Sequence, residues 1–214
     1  MNKLQKATSK GVLIAGEVVK EPKELITLAS RTIAGLIEGQ GRDALYNALD
    51  RLVKDDKIEP DITASAKARY FVPEIDYQLK SEKDEALLRY KIQLFLAVIS
   101  KKFHDHSDLE AKKIWDIVNH LEEADIITLG AVKLIDDRGS MMIDTVGDEF
   151  AELVTKEANL KHKEFVSASL KKLRNQSLTS KDMIKELNLL TGLGRSVAEY
   201  LEHGKNLYDS VQEK

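Results

Sequence analysis

Cysteine is absent from the 214 residues, which removes disulfides, thiolate nucleophiles and sulfur-ligated zinc and fits a reducing compartment. Proline is scarce at 3 residues, and 11 glycines leave little material for turns, which disfavours an all-β fold. No long uncharged run opens the chain: its first apolar stretch, Gly11–Val19, is broken by Glu17, so it lacks the core of a signal peptide and the length of a membrane span. The expectation is a cytoplasmic protein with no membrane span. Neither sign of charge dominates, and the net charge of −3 gives no global attraction to nucleic acid. A balanced total can still conceal a local basic surface.

What is present is helical patterning. With 43% hydrophobic and 32% charged residues, the composition is globular. Val12, Ile14, Val18 and Val19 form a modest stripe, Pro22 suits the first turn of a second helix ending near Glu38, and Gly39-Gln40-Gly41 reads as a turn. Leu45, Leu49, Leu52 and Val53 recur at helical spacing up to Asp55-Asp56-Lys57. From Thr63 to Lys80 the pattern stays helical but contains Pro73, which predicts two shorter pieces. Ser81 with Asp84 reads as a capping box before Leu88, Ile92, Phe95, Ile99 and Phe103, a stripe wide enough for the buried centre of the fold.

Ser107-x-x-Glu110 is a second capping box, opening a helix through Ile114, Trp115, Val118 and Leu121, and Ala124 to Ile135 follows as a short apolar helix. Met141-Met142-Ile143 is the one stretch that suggests β structure. Thr145 with Asp148 predicts the cap of a long helix to Asn175, Thr179 with Asp182 starts another, and a last helix uses Val197, Ala198, Leu201, Leu207 and Val211. The fold class is therefore all-α, a multi-helix bundle. A small winged-helix-like element near 107–150 could be built into it, with one basic residue, Lys133, on its second helix. The bundle divides near residue 105, into regions 1–105 and 106–214, or forms one domain.

Chemistry-bearing patterns are few. His104, His106 and Asp108 form an H-x-H-x-D string between two helices. It resembles part of the metal-binding run of metallo-β-lactamase-type hydrolases, but Leu109 follows where another histidine would be needed. The carboxylate pairs Asp55-Asp56, Glu122-Glu123 and Asp136-Asp137 read as solvated surface, because sequence neighbours point apart on a helix. No phosphate-binding loop or nucleophile elbow is written in the sequence, so the expectation is a protein without catalytic residues, metal or cofactor.

Leu187 to Leu201 carries the sharper signal. It resembles the helix-hairpin-helix motif, with Gly192-Leu193-Gly194 as the joint and Ala198 on the second helix. There, Gly192 and Gly194 would let backbone N–H groups approach a phosphate, with Arg195 beside them. Lys171, Lys172, Arg174, Lys181 and Lys185 would add a basic surface. A Gly-x-Gly joint is equally a helix stop followed by a new helix.

From about Pro60 to Ile135 the layout resembles the bacterial abortive-infection alpha family. The matching features are the Pro60-Asp61 boundary, the acidic Ser81 to Glu85 lead into Ala86-Leu87-Leu88-Arg89, the Leu94-Phe95-Leu96-Ala97 core, Ile114 to Leu121 before Glu122-Glu123-Ala124-Asp125, and the later Val146-Gly147-Asp148-Glu149-Phe150. The resemblance implies a setting in bacterial phage defence and supplies no catalytic residues. The leading expectation is a non-enzymatic helical interaction protein with a protein partner. The alternative is a nucleic-acid-binding protein, with DNA as partner.

Overall fold

The computed structural model describes residues 42–58, 66–138, 148–180 and 189–212. The readings made above for the first two helices, for Gly39-Gln40-Gly41, for Met141-Met142-Ile143 and for the caps at Thr145 and Asp182 lie outside them. Among the described residues there are eight α-helices and no strand, which makes the protein an all-α multi-helix bundle. The helices are α1 (Arg42–Lys54), α2 (Ala66–Ser81), α3 (Glu85–Val98), α4 (Asp108–Asn119), α5 (Glu123–Asp137), α6 (Asp148–Glu157), α7 (Lys163–Asn175) and α8 (Gly192–Gln212), with a 3-10 turn at Lys101–Phe103. Of these, none is long and apolar enough to cross a membrane.

The chain divides into two units. Among the described residues, the first takes those up to Lys83, Phe95–Asp105 and those from Leu207; the second takes Asp84–Leu94 and His106–Asn206.

In the first unit, Leu49, Leu52, Phe71, Ile75, Leu79, Phe95 and Phe103 are buried, as steps of three and four require. Lys67 is buried among them, and its ammonium donates to the carbonyls of Phe103, at 2.5 Å, and His104, at 3.1 Å. α2 runs unbroken through Pro73, against the division predicted for it. Pro73 is exposed while Phe71, Val72 and Ile75 are buried, so the carbonyl that loses its donor lies on the solvent side, where water can replace the bond.

In the second unit, α5, α6 and α7 pack on one another through Leu129, Val132, Phe150, Val154, Val166 and Leu173. Arg138 joins α5 to α6 by two hydrogen bonds of 2.7 Å to Glu157. The single long helix predicted to end at Asn175 is two helices. The break is at Asn159, whose φ of 53° closes α6 in a Schellman turn: Asn159 N–H donates to Lys156 O, and Leu160 N–H to Thr155 O.

Two other non-glycine residues with positive φ, Asp56 and Ser177, end α1 and α7 in the same way. Asp56 and Lys57 donate to Val53 and Leu52, and Ser177 and Leu178 donate to Arg174 and Leu173. Helix stops in this glycine-poor chain are thus made by short polar residues that tolerate the left-handed conformation.

The caps show which sequence signals count. Ser107 accepts from Glu110 N–H as predicted. The predicted Ser81 box does not form: Ser81 donates back to Tyr77 O and finishes α2, while Asp84 accepts from Ala86 and Leu87 N–H at the start of α3. Both N–H groups reach the same Asp84 oxygen, and its negative charge makes these bonds stronger than those to a neutral hydroxyl.

Candidate functional site

The glycine joint is built around the start of α8. Gly192 and Gly194 do not end a helix; both lie in the first turn of α8, and Thr191 is its cap, accepting from Gly194 N–H at 3.0 Å. Thr179 pairs with Leu190 in an isolated antiparallel bridge. Ser180 N–H donates to Leu189 O and Thr191 N–H to Leu178 O. This pairing draws the end of α7 against the start of α8. A Cβ on Gly194 would lie 2.7 Å from the carbonyl carbon of Leu178, whereas one on Gly192 would meet nothing within 4 Å. The close approach at Gly194 is therefore to this chain's own backbone.

Arg195 is turned inward to α5. Its guanidinium binds Asp136 and, at 3.0 Å, Asp137. The Asp136 carboxylate is 1% exposed and also accepts from Leu189 N–H at 2.7 Å. Asp136, expected on the solvated surface, instead has its carboxylate buried, while Asp137 is exposed as expected; both accept from Arg195. A rigid guanidinium fork suits two acceptors on successive residues.

The remaining predicted cations are divided. Lys172 reaches Asp125 at 2.6 Å and Glu122 at 3.4 Å. Burial works against its charge, but those carboxylates outweigh it and hold the ammonium above its ordinary range. Lys171 and Arg174 are exposed on α7, and Lys181 and Lys185 lie outside the described residues. The histidine string does not assemble. His104 and Asp108 are exposed, His106 sits 5.6 Å from the Tyr200 ring, and among the described residues no group of three or more His, Asp or Glu could hold a metal.

The second unit also contains a cleft of about 320 Å3, which sequence reading missed. α5 forms its floor with Ile126, Leu129 and Gly130; α8 forms one wall with Ala198 and Leu201; and α3 closes it with Tyr90 and Gln93. Gly130 opens the space, because a Cβ there would meet nothing within 4 Å. Mid-helix glycine costs about 1 kcal/mol relative to alanine, so the opening is kept against helix propensity. Gly204 sets the far wall: its Cβ would lie 2.5 Å from the carbonyl carbon of Gln93, so α8 rests directly on the α3 backbone.

Polar groups sit at defined points of this cleft. At the rim, Lys133 bridges α5 and α8 through Asp137 at 2.5 Å and Glu202 at 3.1 Å. The Tyr90 hydroxyl is held above its ordinary pKa by burial and then by Glu123, so it stays protonated at neutral pH. Gln93 is 3% exposed, and its Oε1 is buried with no donor among the described residues. Such an unmet acceptor costs about 1–3 kcal/mol. The one legible signal was the lone Gly130 within an apolar helix.

In three comparisons, no family model, curated protein or solved structure matches the chain.

Proposed function

We propose that the protein is a non-enzymatic helical interaction protein that binds a protein partner through the outer face of α2. The observation that carries this reading is a strip of Tyr70, Pro73 and Tyr77, all exposed on one side of α2, with Tyr77 at 64%. Residues three, four and seven apart share a helix face. Tyrosines in such a strip offer apolar rings with polar tips, the side-chain type enriched at protein interfaces and their energetic centres. The setting belongs to the same proposal: the resemblance of residues 60–150 to the bacterial abortive-infection alpha family implies a role as an accessory component of phage defence.

The test is affinity purification of the full chain and of the double variant Tyr70→Glu, Tyr77→Glu from the native cell, followed by mass spectrometry. The expected result is a stoichiometric partner that the variant loses while its circular-dichroism spectrum is unchanged, with protection from phage lost in parallel. Undiminished recovery of every partner by the variant would contradict the reading.

Exposed Lys171 and Arg174 on α7 favour a second reading, nucleic-acid binding through phosphate contacts. Arg195 and Lys172 are engaged by carboxylates of the fold, so the discriminating variant is Lys171→Glu with Arg174→Glu. Under this reading, affinity for arbitrary duplex DNA falls steeply with salt and is abolished by that variant.

A further inference from the structure

Helix α8 is held at two points, and the cleft lies along the interval between them. At one point Gly204 rests on the α3 backbone, where a Cβ would lie 2.5 Å from the carbonyl carbon of Gln93. At the other, Gly194 rests on the Leu178 carbonyl, and Arg195 binds Asp136 and Asp137 of α5. Backbone already meets backbone at both points, so α8 cannot settle further onto its neighbours where it carries Ala198 and Leu201. In that interval α5 offers Ile126, Gly130 and Leu134, a row on one helix face whose middle member has no side chain. A cavity shrinks only where its walls can relax into it. These walls are held apart, and a cleft of about 320 Å3 persists.

The lining decides the occupant. Ile126, Leu129, Leu134, Ala198 and Leu201 make it largely apolar, and Leu134 is 49% exposed. Water in such a space finds few partners, and its displacement by an apolar group is favourable. Charge gives an ion no hold there: Lys133 is paired with Asp137 and Glu202, and Lys205 is exposed on α8, where water solvates it. Gln93 Oε1 is closed to solvent and meets no occupant. We propose that the cleft binds a small uncharged apolar molecule, which packs on Ile126, Leu129 and Leu201 in the space left by Gly130. The volume is at the lower end of small-molecule pockets, about 300–1,000 Å3, which suits a ligand of about one or two rings. The site is separate from the α2 strip and stands or falls without it.

The test titrates the full chain, by amide-resolved NMR at neutral pH, with ethylbenzene and with two ions of similar size, phenylacetate and benzylammonium. Ethylbenzene is expected to shift the signals of Ile126, Gly130 and Leu201. It is expected to bind about tenfold more tightly than either ion, because each ion must shed its hydration to enter. Gly130→Leu, whose side chain enters the space, is expected to weaken ethylbenzene about tenfold, and Gly130→Ala about threefold, with the helical spectrum retained. The alanine variant, whose Cβ meets nothing within 4 Å, carries the same test should leucine disturb the fold. No shift with ethylbenzene, shifts confined to other surfaces, either ion bound as tightly as ethylbenzene, or unchanged ethylbenzene affinity in the folded Gly130 variants would each overturn the proposal.

Discussion

The backbone carbonyl of Leu178 occupies the space that a side chain on Gly194 would need. Gly194→Ala must push α8 away from the end of α7 and is expected to destabilise the protein by roughly 3 kcal/mol. Gly204→Ala, facing the α3 backbone at Gln93, is expected to cost about as much. Gly130→Ala meets open space and is expected to stabilise by about 1 kcal/mol. Urea unfolding of the three variants checks the order, which a uniform glycine effect would not produce.

The Asp136 carboxylate is nearly inaccessible and holds both Arg195 and Leu189 N–H. Asp136→Ala leaves a guanidinium and a backbone donor without this acceptor, and is expected to cost about 2–3 kcal/mol. Restoring the balance with Arg195→Met in the same chain should recover part of that loss, because an unpaired charge costs more than a missing pair. Thermal melts of the single and double variants give the coupling.

Ser177, Asn159 and Asp56 each hold a left-handed backbone that glycine adopts without strain. Ser177→Gly is expected to stabilise by about 0.5 kcal/mol, the relief of strain exceeding the added freedom of the unfolded chain. Asn159→Gly should be near neutral, since asparagine tolerates this region best. Asn159→Ala should cost about 1 kcal/mol, and denaturant midpoints resolve the three.

Stability should fall at both ends of the pH range around Lys133. Its hydrogen bond is the main cause that holds the Asp137 carboxyl below its ordinary 3.8, with Arg195 adding to it. Between the folded value and 3.8 the unfolded chain takes a proton that the folded chain does not, so this contribution is complete above 3.8 and is lost as pH falls through the folded value. Asp137 in turn is the main cause raising Lys133 above its ordinary 10.5; that contribution is complete below 10.5 and lost as pH rises through the folded value. The Tyr200 phenol, raised above its ordinary 10.0 by burial and then by Glu110, acts in the same direction. Thermal midpoints against pH should show both limbs, and Asp137→Asn should make the acid limb shallower.

Much of the fold was legible because burial follows periodicity. The stripe Leu88, Ile92, Phe95, Ile99 and Phe103 is buried throughout, and Ser107 caps α4 as its spacing implies. The failures have local causes. Pro73 did not divide α2 because it faces solvent, and the helix after residue 147 broke because Asn159, an unremarkable residue in the pattern, can adopt positive φ.

Gly192 and Gly194 lie in the first turn of α8. The neighbours of Gly194 are Leu178 and Thr191, brought close by a bridge between residues eleven apart, Thr179 and Leu190. The cleft was illegible because it depends on the crossing of three helices that are distant in sequence. A pattern of apolar residues states that a face is covered, and does not state where the cover is incomplete.

Site-specific photocrosslinking from position 77 in the native cell is the most direct test of the interaction reading. The account predicts one dominant crosslinked protein from position 77, absent when the crosslinker replaces exposed Lys171 and absent when Tyr70→Glu is added. Equal, diffuse crosslinking from both positions, or a dominant product that survives Tyr70→Glu, would contradict it.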